Sequence, residues 1–130
     1  MKRIFTLLLC LLLGLSFATL SSARLSYIND ATTNIGPSGG QAISVGVCNG
    51  YQGITTKVEI TLTLQRKLAS SSTWTDYYTA PKQTFNNYHG AAQLIRNMEK
   101  GYQYRTKAVY VAYSGTKSET LTGYSGAISY

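Results

Sequence analysis

Thr56-Lys57-Val58-Glu59-Ile60-Thr61-Leu62-Thr63-Leu64-Gln65 is the stretch whose reading decides the fold. Val58, Ile60, Leu62 and Leu64 occupy one set of alternate positions, and Lys57, Glu59, Thr61, Thr63 and Gln65 the other. A period of two puts the two sets on opposite faces of an extended chain, so the stretch predicts a strand with one face in a core. Working outward, Tyr102 to Tyr113 alternates Tyr104, Thr106, Ala108, Tyr110 and Ala112 with Arg105, Lys107, Val109 and Val111. Both of those faces are partly apolar, as a central strand requires. Ser114-Gly115-Thr116 breaks the pattern and Lys117 to Tyr124 resumes it, which predicts a hairpin with glycine supplying the turn. Ser70-Ser71-Ser72 similarly separates the first strand from Trp74 to Thr79.

Upstream, residues 41 to 48 alternate Ile43, Val45 and Val47 with Ser44, Gly46 and Cys48, and the pattern leaves open which set faces inward. Leu25 to Ile35 reads as an edge strand ending at Gly36-Pro37-Ser38-Gly39-Gly40. Ala91 to Lys100 fits a short helix through Ala91, Leu94, Ile95 and Met98, with Gly101 as its cap, and fits a strand through Ala92, Leu94 and Met98. The all-β surroundings favour the strand.

Thr, Ser, Tyr, Val and Gly dominate this region, with two prolines, which is β composition. About seven antiparallel strands in roughly 100 residues predict a single immunoglobulin-like two-sheet β-sandwich. Gly101-Tyr102-Gln103-Tyr104-Arg105-Thr106 matches the tyrosine corner of such domains, with Thr106 two residues after Tyr104, where the second bridging cysteine would stand. Cys48 falls on the second strand, the place expected for the first cysteine. Half of the usual bridge is missing.

The chain begins with Lys2-Arg3, an apolar run from Ile4 to Leu15, and small residues ending Ser21-Ser22-Ala23. A charged start, a short apolar run and a small-residue exit are the pattern of a secretory signal peptide. The organisation expected is therefore a signal peptide over 1–23, an edge strand and Gly/Pro/Ser linker over 24–40, and a β-sandwich over 41–130. The apolar run is shorter than the about 20 residues a transmembrane helix needs, so no membrane anchor is expected and the product reads as secreted. Cys10 lacks the small preceding residue of a lipoprotein signal and leaves with the leader, so Cys48 is the one mature thiol and no intramolecular disulfide can form. With Lys2 and Arg3 removed, ten basic residues face five acidic ones, a net charge of +5. These charges are scattered, with Arg66-Lys67 the single adjacent pair, so they read first as a solubilising surface.

Gly50-Tyr51-Gln52-Gly53-Ile54-Thr55-Thr56-Lys57-Val58, Thr61 to Lys67, Trp74-Thr75, Tyr104 to Ala108 and Tyr113 to Thr120 together resemble a family of small secreted Tyr/Thr-rich proteins of Gram-positive bacteria that carries only a domain-of-unknown-function label. The resemblance spans most of residues 40 to 126. It implies export and a small β-sandwich, and it brings no catalytic residues with it.

Catalytic chemistry is sparsely supplied. His89 is the sole histidine, and no cysteine lies at zinc spacing from it. Asp30, Glu59, Asp76, Glu99 and Glu119 are far apart in sequence, with Glu59 and Glu119 at outward strand positions; a carboxylate pair could form only by folding, from Asp76 and Glu99. Gly36 to Gly40 follows no strand-to-helix phosphate pattern. The expectation is a non-enzyme with no cofactor and no metal.

Tyr-x-Gly recurs at Tyr51-Gln52-Gly53, Tyr113-Ser114-Gly115 and Tyr124-Ser125-Gly126. In an immunoglobulin-like sandwich the first two lie in loops at one end, which makes Tyr51 and Tyr113 candidate ligand-binding residues, because tyrosine offers rigid amphipathic contact at low entropy cost. Trp74 is a third candidate, as its ring can stack on a sugar or a base, although its size favours a place in the core of so thin a sandwich. The partners expected are an anionic cell-wall polymer, a glycan or an extracellular protein, and no nucleic acid. A self-associating matrix protein is the alternative, with a secreted antagonistic peptide behind it; the residues leave the oligomeric state open.

Overall fold

The computed structural model describes residues 25–130, so the signal peptide expected over 1–23 lies outside the described residues. The strands are β1 (Ile28–Ser38), β2 (Gln41–Gly50), β3 (Lys57–Leu68), β4 (Thr75–Thr79), β5 (Gln83–Phe85), β6 (His89–Asn97), β7 (Tyr102–Ser114), β8 (Lys117–Tyr124) and β9 (Ile128–Ser129). They form two antiparallel sheets. One has the order β1-β2-β6; the other runs β4-β3-β7-β8, with β5 continuing one margin beside β3 and β9 the other beside β7. This is the immunoglobulin-like division, with the second strand in one sheet and the third, seventh and eighth in the other.

β3 is the centre of the molecule. Val58, Ile60, Leu62 and Leu64 all lie in the core, and the alternate residues Glu59, Thr63 and Gln65 are largely covered by the flanking strands. β2 resolves its ambiguity in an unexpected direction. Its inward residues are the small ones, Ala42, Ser44, Gly46, Cys48 and Gly50, whereas Ile43, Val45 and Val47 face outward and stay half-buried. The reason is the size of what comes from the opposite sheet: a Cβ on Gly46 would stand 2.9 Å from both Leu62 Cδ2 and Tyr110 Oη. Tyr110 is fully buried and spans the sandwich, donating from Oη to the Thr32 carbonyl at 2.8 Å and sharing a 2.7 Å hydrogen bond with Thr33 Oγ1 on β1. A large residue on β7 thus requires an absent side chain on β2.

The tyrosine corner is present. The Glu99 amide donates to Tyr104 Oη at 2.6 Å, and that hydroxyl donates to the Glu99 carbonyl at 3.2 Å. The cysteine position is corrected: Thr106 faces Ser44 and not Cys48. A buried 2.6 Å hydrogen bond joins Ser44 Oγ and Thr106 Oγ1 between the sheets. Cys48 lies four residues along, buried between Ala31 on β1 and Gly90 on β6. In a Cys48→Ala background, Ser44→Cys with Thr106→Cys is therefore expected to form an inter-sheet disulfide, raising stability by about 2–4 kcal/mol in the oxidised protein. Denaturant unfolding with and without reductant measures this, and equal midpoints would contradict the assignment.

Residues 89–97 are a strand. Ala92, Leu94 and Met98 are buried, while Ile95 is 45% exposed on the outer face, so the helical reading of this segment fails. The linker expected around Gly36–Ser38 is also strand: β1 runs to Ser38, and Gly39 and Gly40, with φ of 55° and 81°, make the turn into β2. Glu119 departs from its outward reading. It pairs with the buried Ala112 and so shares the inner face, where its carboxylate accepts from the amides of Ser26 at 3.0 Å, Tyr27 at 2.6 Å and Ile28 at 2.8 Å. Three backbone donors supply what water would otherwise give a half-buried carboxylate, and they fix the start of β1 on β8. β5 and β9, three and two residues long, carry too little pattern to be read from sequence.

Candidate functional site

The outer face of the larger sheet gathers the candidate side chains. Strand register fixes it: Lys57, Glu59, Thr61, Thr63, Gln65 and Lys67 of β3 point the same way as Arg105, Lys107, Val109, Val111 and Tyr113 of β7. Tyr124 on β8 pairs with Lys107 and joins them.

At one end the Arg105 guanidinium lies between two rings, 4.5 Å from the Trp74 centroid and 4.4 Å from that of Tyr124. Its Nε donates to Gln65 Oε1 at 2.7 Å, and Gln65 Nε2 donates to Asp76 Oδ1 at 2.8 Å, so the arginine is held in place. Burial lowers its pKa, with the Tyr124 hydroxyl acting in the opposite sense. Lys67 Nζ stands 5.5 Å from the Trp74 ring, and Lys107 lies next along β7. Between the ends the face carries Thr61, Thr63, Val109 and Val111, and Thr63 Oγ1 and Thr79 Oγ1 share a 2.9 Å hydrogen bond on its margin.

At the other end the Tyr113 hydroxyl donates to Glu59 Oε1 at 2.9 Å, Lys57 Nζ sits 4.2 Å above the Tyr113 ring, and Lys82 Nζ is 3.4 Å from Glu59. Burial by itself raises the Glu59 pKa, but the Tyr113 hydrogen bond and the Lys82 and Lys57 charges outweigh it and the net shift is downward. Tyr113 is shifted upward, first by its bond to the Glu59 carboxylate.

Trp74 and Tyr113 thus share a face but lie at opposite ends of it. Tyr113 is beside Lys57, and Trp74 just precedes Thr75, which pairs with Arg66, so roughly 30 Å of strand separates them at about 3.3 Å per residue. Tyr51 lies in the β2–β3 loop, its carbonyl accepting from the amides of Ile54 and Thr55. That loop does meet the β7–β8 turn: the Thr56 amide donates to the Tyr113 carbonyl at 2.8 Å and the Gly115 amide to Thr56 Oγ1 at 3.1 Å. The Tyr113 ring, however, lies down on the sheet face. Arg105, Lys107 and Tyr124 were not singled out as site residues by the sequence; the period-two alignment of Arg105, Lys107 and Tyr113 is the signal that could have found them.

Trp74 is half-buried on the outer face and outside the core. His89 opens β6, exposed and edge-on to Tyr88 at 4.7 Å. Asp76 and Glu99 do not form a pair, since Asp76 accepts from Gln65 while Glu99 holds Arg66 at 2.8 Å. Among the described residues no three His, Cys, Asp or Glu side chains gather around a point where a metal ion could sit, and no helix is long and apolar enough to cross a membrane.

No family model matches this chain, and no curated protein matches it. The resemblance to a Gram-positive secreted family rests on the quoted sequence blocks alone. Among solved structures the chain is similar to the solution structure of R. palustris CsgH, at 10% identity over 72% of this chain and 88% of that one, with a TM-score of 0.41. It is similar also to the E. coli curli protein CsgC, at 16% identity over 73% of this chain and 95% of that one, with a TM-score of 0.40. Likenesses at this level carry no argument about what the chain does.

Proposed function

We propose that the mature chain is a secreted, non-catalytic binding module that holds an anionic extracellular polymer, a wall polymer or acidic glycan, on the outer face of its six-stranded sheet. The observation that carries this reading is the Arg105 guanidinium fixed between Trp74 and Tyr124 beside Lys67 and Lys107. Among the described residues no salt bridge engages any of these three cations. The aromatic rings restrain the guanidinium without neutralising it, so its charge remains available to a ligand. Cations spread along one sheet face suit a chain of repeating charges better than a small molecule, which a concave pocket would hold. The candidate residue Tyr51, on the loop end, lies outside this surface, while Tyr113 and Trp74 mark its two ends.

The test is retention of the mature protein on immobilised polyuronate, polyphosphate and neutral dextran. Retention is expected on the anionic supports and not on dextran, and raised salt should weaken it by screening. Arg105→Ala with Lys107→Ala should weaken it about tenfold or more, since a hydrogen bond to a charged group contributes roughly 1.5–3 kcal/mol. Equal retention on dextran, or unchanged retention of the double variant, would sink this reading.

A second reading, self-association, is favoured by the smaller sheet. Its margins β1 and β6 are 11 and 9 residues long and pair only with β2 among the described strands, and Ile43, Val45, Val47 and Ile95 lie on its outer face. Long unpaired margins are templates for strand addition. Sedimentation at high concentration decides, and a monomer there counts against it.

A further inference from the structure

Across one open side of the sandwich β4 and β6 face each other without pairing. A cavity of about 280 Å³ opens there, lined by Gln41, Tyr77, Ile95, Arg96 and Asn97. Arg96 follows the buried Leu94 by two residues, which turns its side chain toward the other sheet, and its guanidinium lies 3.8 Å from the centroid of the Tyr78 ring. No salt bridge among the described residues engages it. Gln41 Nε2 donates to Asn97 Oδ1 at 3.1 Å, a bond that orients both carboxamides and leaves the Gln41 carbonyl and the Asn97 amino group for a ligand. Tyr77 is fixed in turn, with Arg66 at 4.0 Å over its ring and Tyr104 edge-on at 6.0 Å.

From this arrangement we infer that the cavity binds a single acidic sugar unit, a hexuronate, with its carboxylate on Arg96 and its hydroxyl groups on Gln41 and Asn97. A guanidinium held by stacking is suited to a carboxylate, which it can grip through two parallel hydrogen bonds. Two carboxamides, one offering an acceptor and one a donor, match neighbouring hydroxyls. Tyr77, on β4, lines the cavity from the side of the other sheet. The volume lies just under the roughly 300–1,000 Å³ of ordinary ligand pockets, which fits one unit and not a stretch of chain. The inference rests on the reading of the protein as a binder of acidic glycans, and it adds a site for a terminal unit apart from the sheet face.

Titration of the isotope-labelled mature protein with sodium glucuronate, followed by amide chemical shifts, tests it, with glucose as the uncharged match and acetate as the bare carboxylate. Shifts are expected at Gln41, Ile95, Arg96 and Asn97 with glucuronate, at concentrations where glucose and acetate move nothing. Arg96→Gln should weaken the interaction at least tenfold. Asn97→Asp, a change at an exposed position that places a like charge beside the carboxylate, should do the same with amide dispersion preserved. Glucuronate binding that survives either substitution, or is no tighter than that of glucose or acetate, overturns the inference. Arg105→Ala with Lys107→Ala should leave the glucuronate shifts intact, and their loss would move the sugar to the sheet face and overturn the cavity assignment. Polymer retention lost in that double variant but kept in Arg96→Gln separates the two sites.

Discussion

Tyr110→Ala is expected to lower the unfolding free energy by about 3–5 kcal/mol, the range for removing a large buried aromatic. The side chain fills the space above Gly46, against Leu62, and its hydroxyl holds β1 through Thr32 and Thr33. Truncation therefore empties the middle of the sandwich and releases the β1 margin together. Tyr110→Phe separates the two effects. It keeps the ring but leaves the Thr32 carbonyl and Thr33 hydroxyl without their partner, at a cost of about 1–3 kcal/mol. Urea unfolding of the three proteins measures both steps. A Phe variant as destabilised as the Ala variant would show that the hydroxyl dominates and the packing account is wrong.

Alkaline pH is expected to destabilise the fold through two buried groups. Burial pushes the Cys48 thiol from 9.0 up to about 12, and the charges of Asp30 and Glu119 add to the shift. Burial likewise raises the Tyr110 hydroxyl from 10.0 to about 12, with Cys48 adding and the Thr33 hydrogen bond opposing. Each group keeps its proton in the folded protein at a pH where the unfolded chain has lost it. The contribution is therefore complete below pH 9 for Cys48 and below pH 10 for Tyr110, and it disappears as pH rises through 12. At 1.36 kcal/mol per unit the Cys48 part is about 4 kcal/mol. Unfolding free energies of the wild type and Cys48→Ala between pH 8 and 12 should therefore converge as pH rises, the wild type losing about 4 kcal/mol more. Parallel curves would contradict the buried, protonated thiol.

Much of this architecture is legible in the sequence. The alternation of Val58, Ile60, Leu62 and Leu64 needs no partner to be read, because the two faces of a strand are set by backbone geometry alone. Tyr104 and Thr106 locate the corner for the same reason: the motif is local, and the hydroxyl returns to a backbone five residues upstream. The candidate site is less legible. Arg105 and Lys107 read as scattered charges because the rings that frame Arg105 come from residue 74, just before β4, and residue 124, on β8. Trp74 could be singled out, but not its distance from Tyr113. Lys57, Arg66, Arg96 and Arg105 each lie over an aromatic ring, a placement that composition cannot show.

By itself the sequence determined that the chain is all-β, which residues of β3 face inward, where the hairpin glycine falls, and that no disulfide can join the sheets. Only the tertiary structure decided the orientation of β2, the partner of Thr106, the inward turn of Glu119 and the cluster around Arg105. For β2 the physical reason is volume. Alternation says that two faces differ, but which face is inner depends on the volume arriving from the opposite sheet, and the bulk of Tyr110 and Leu62 turned Ser44, Gly46 and Cys48 inward against the hydrophobicity of Ile43, Val45 and Val47.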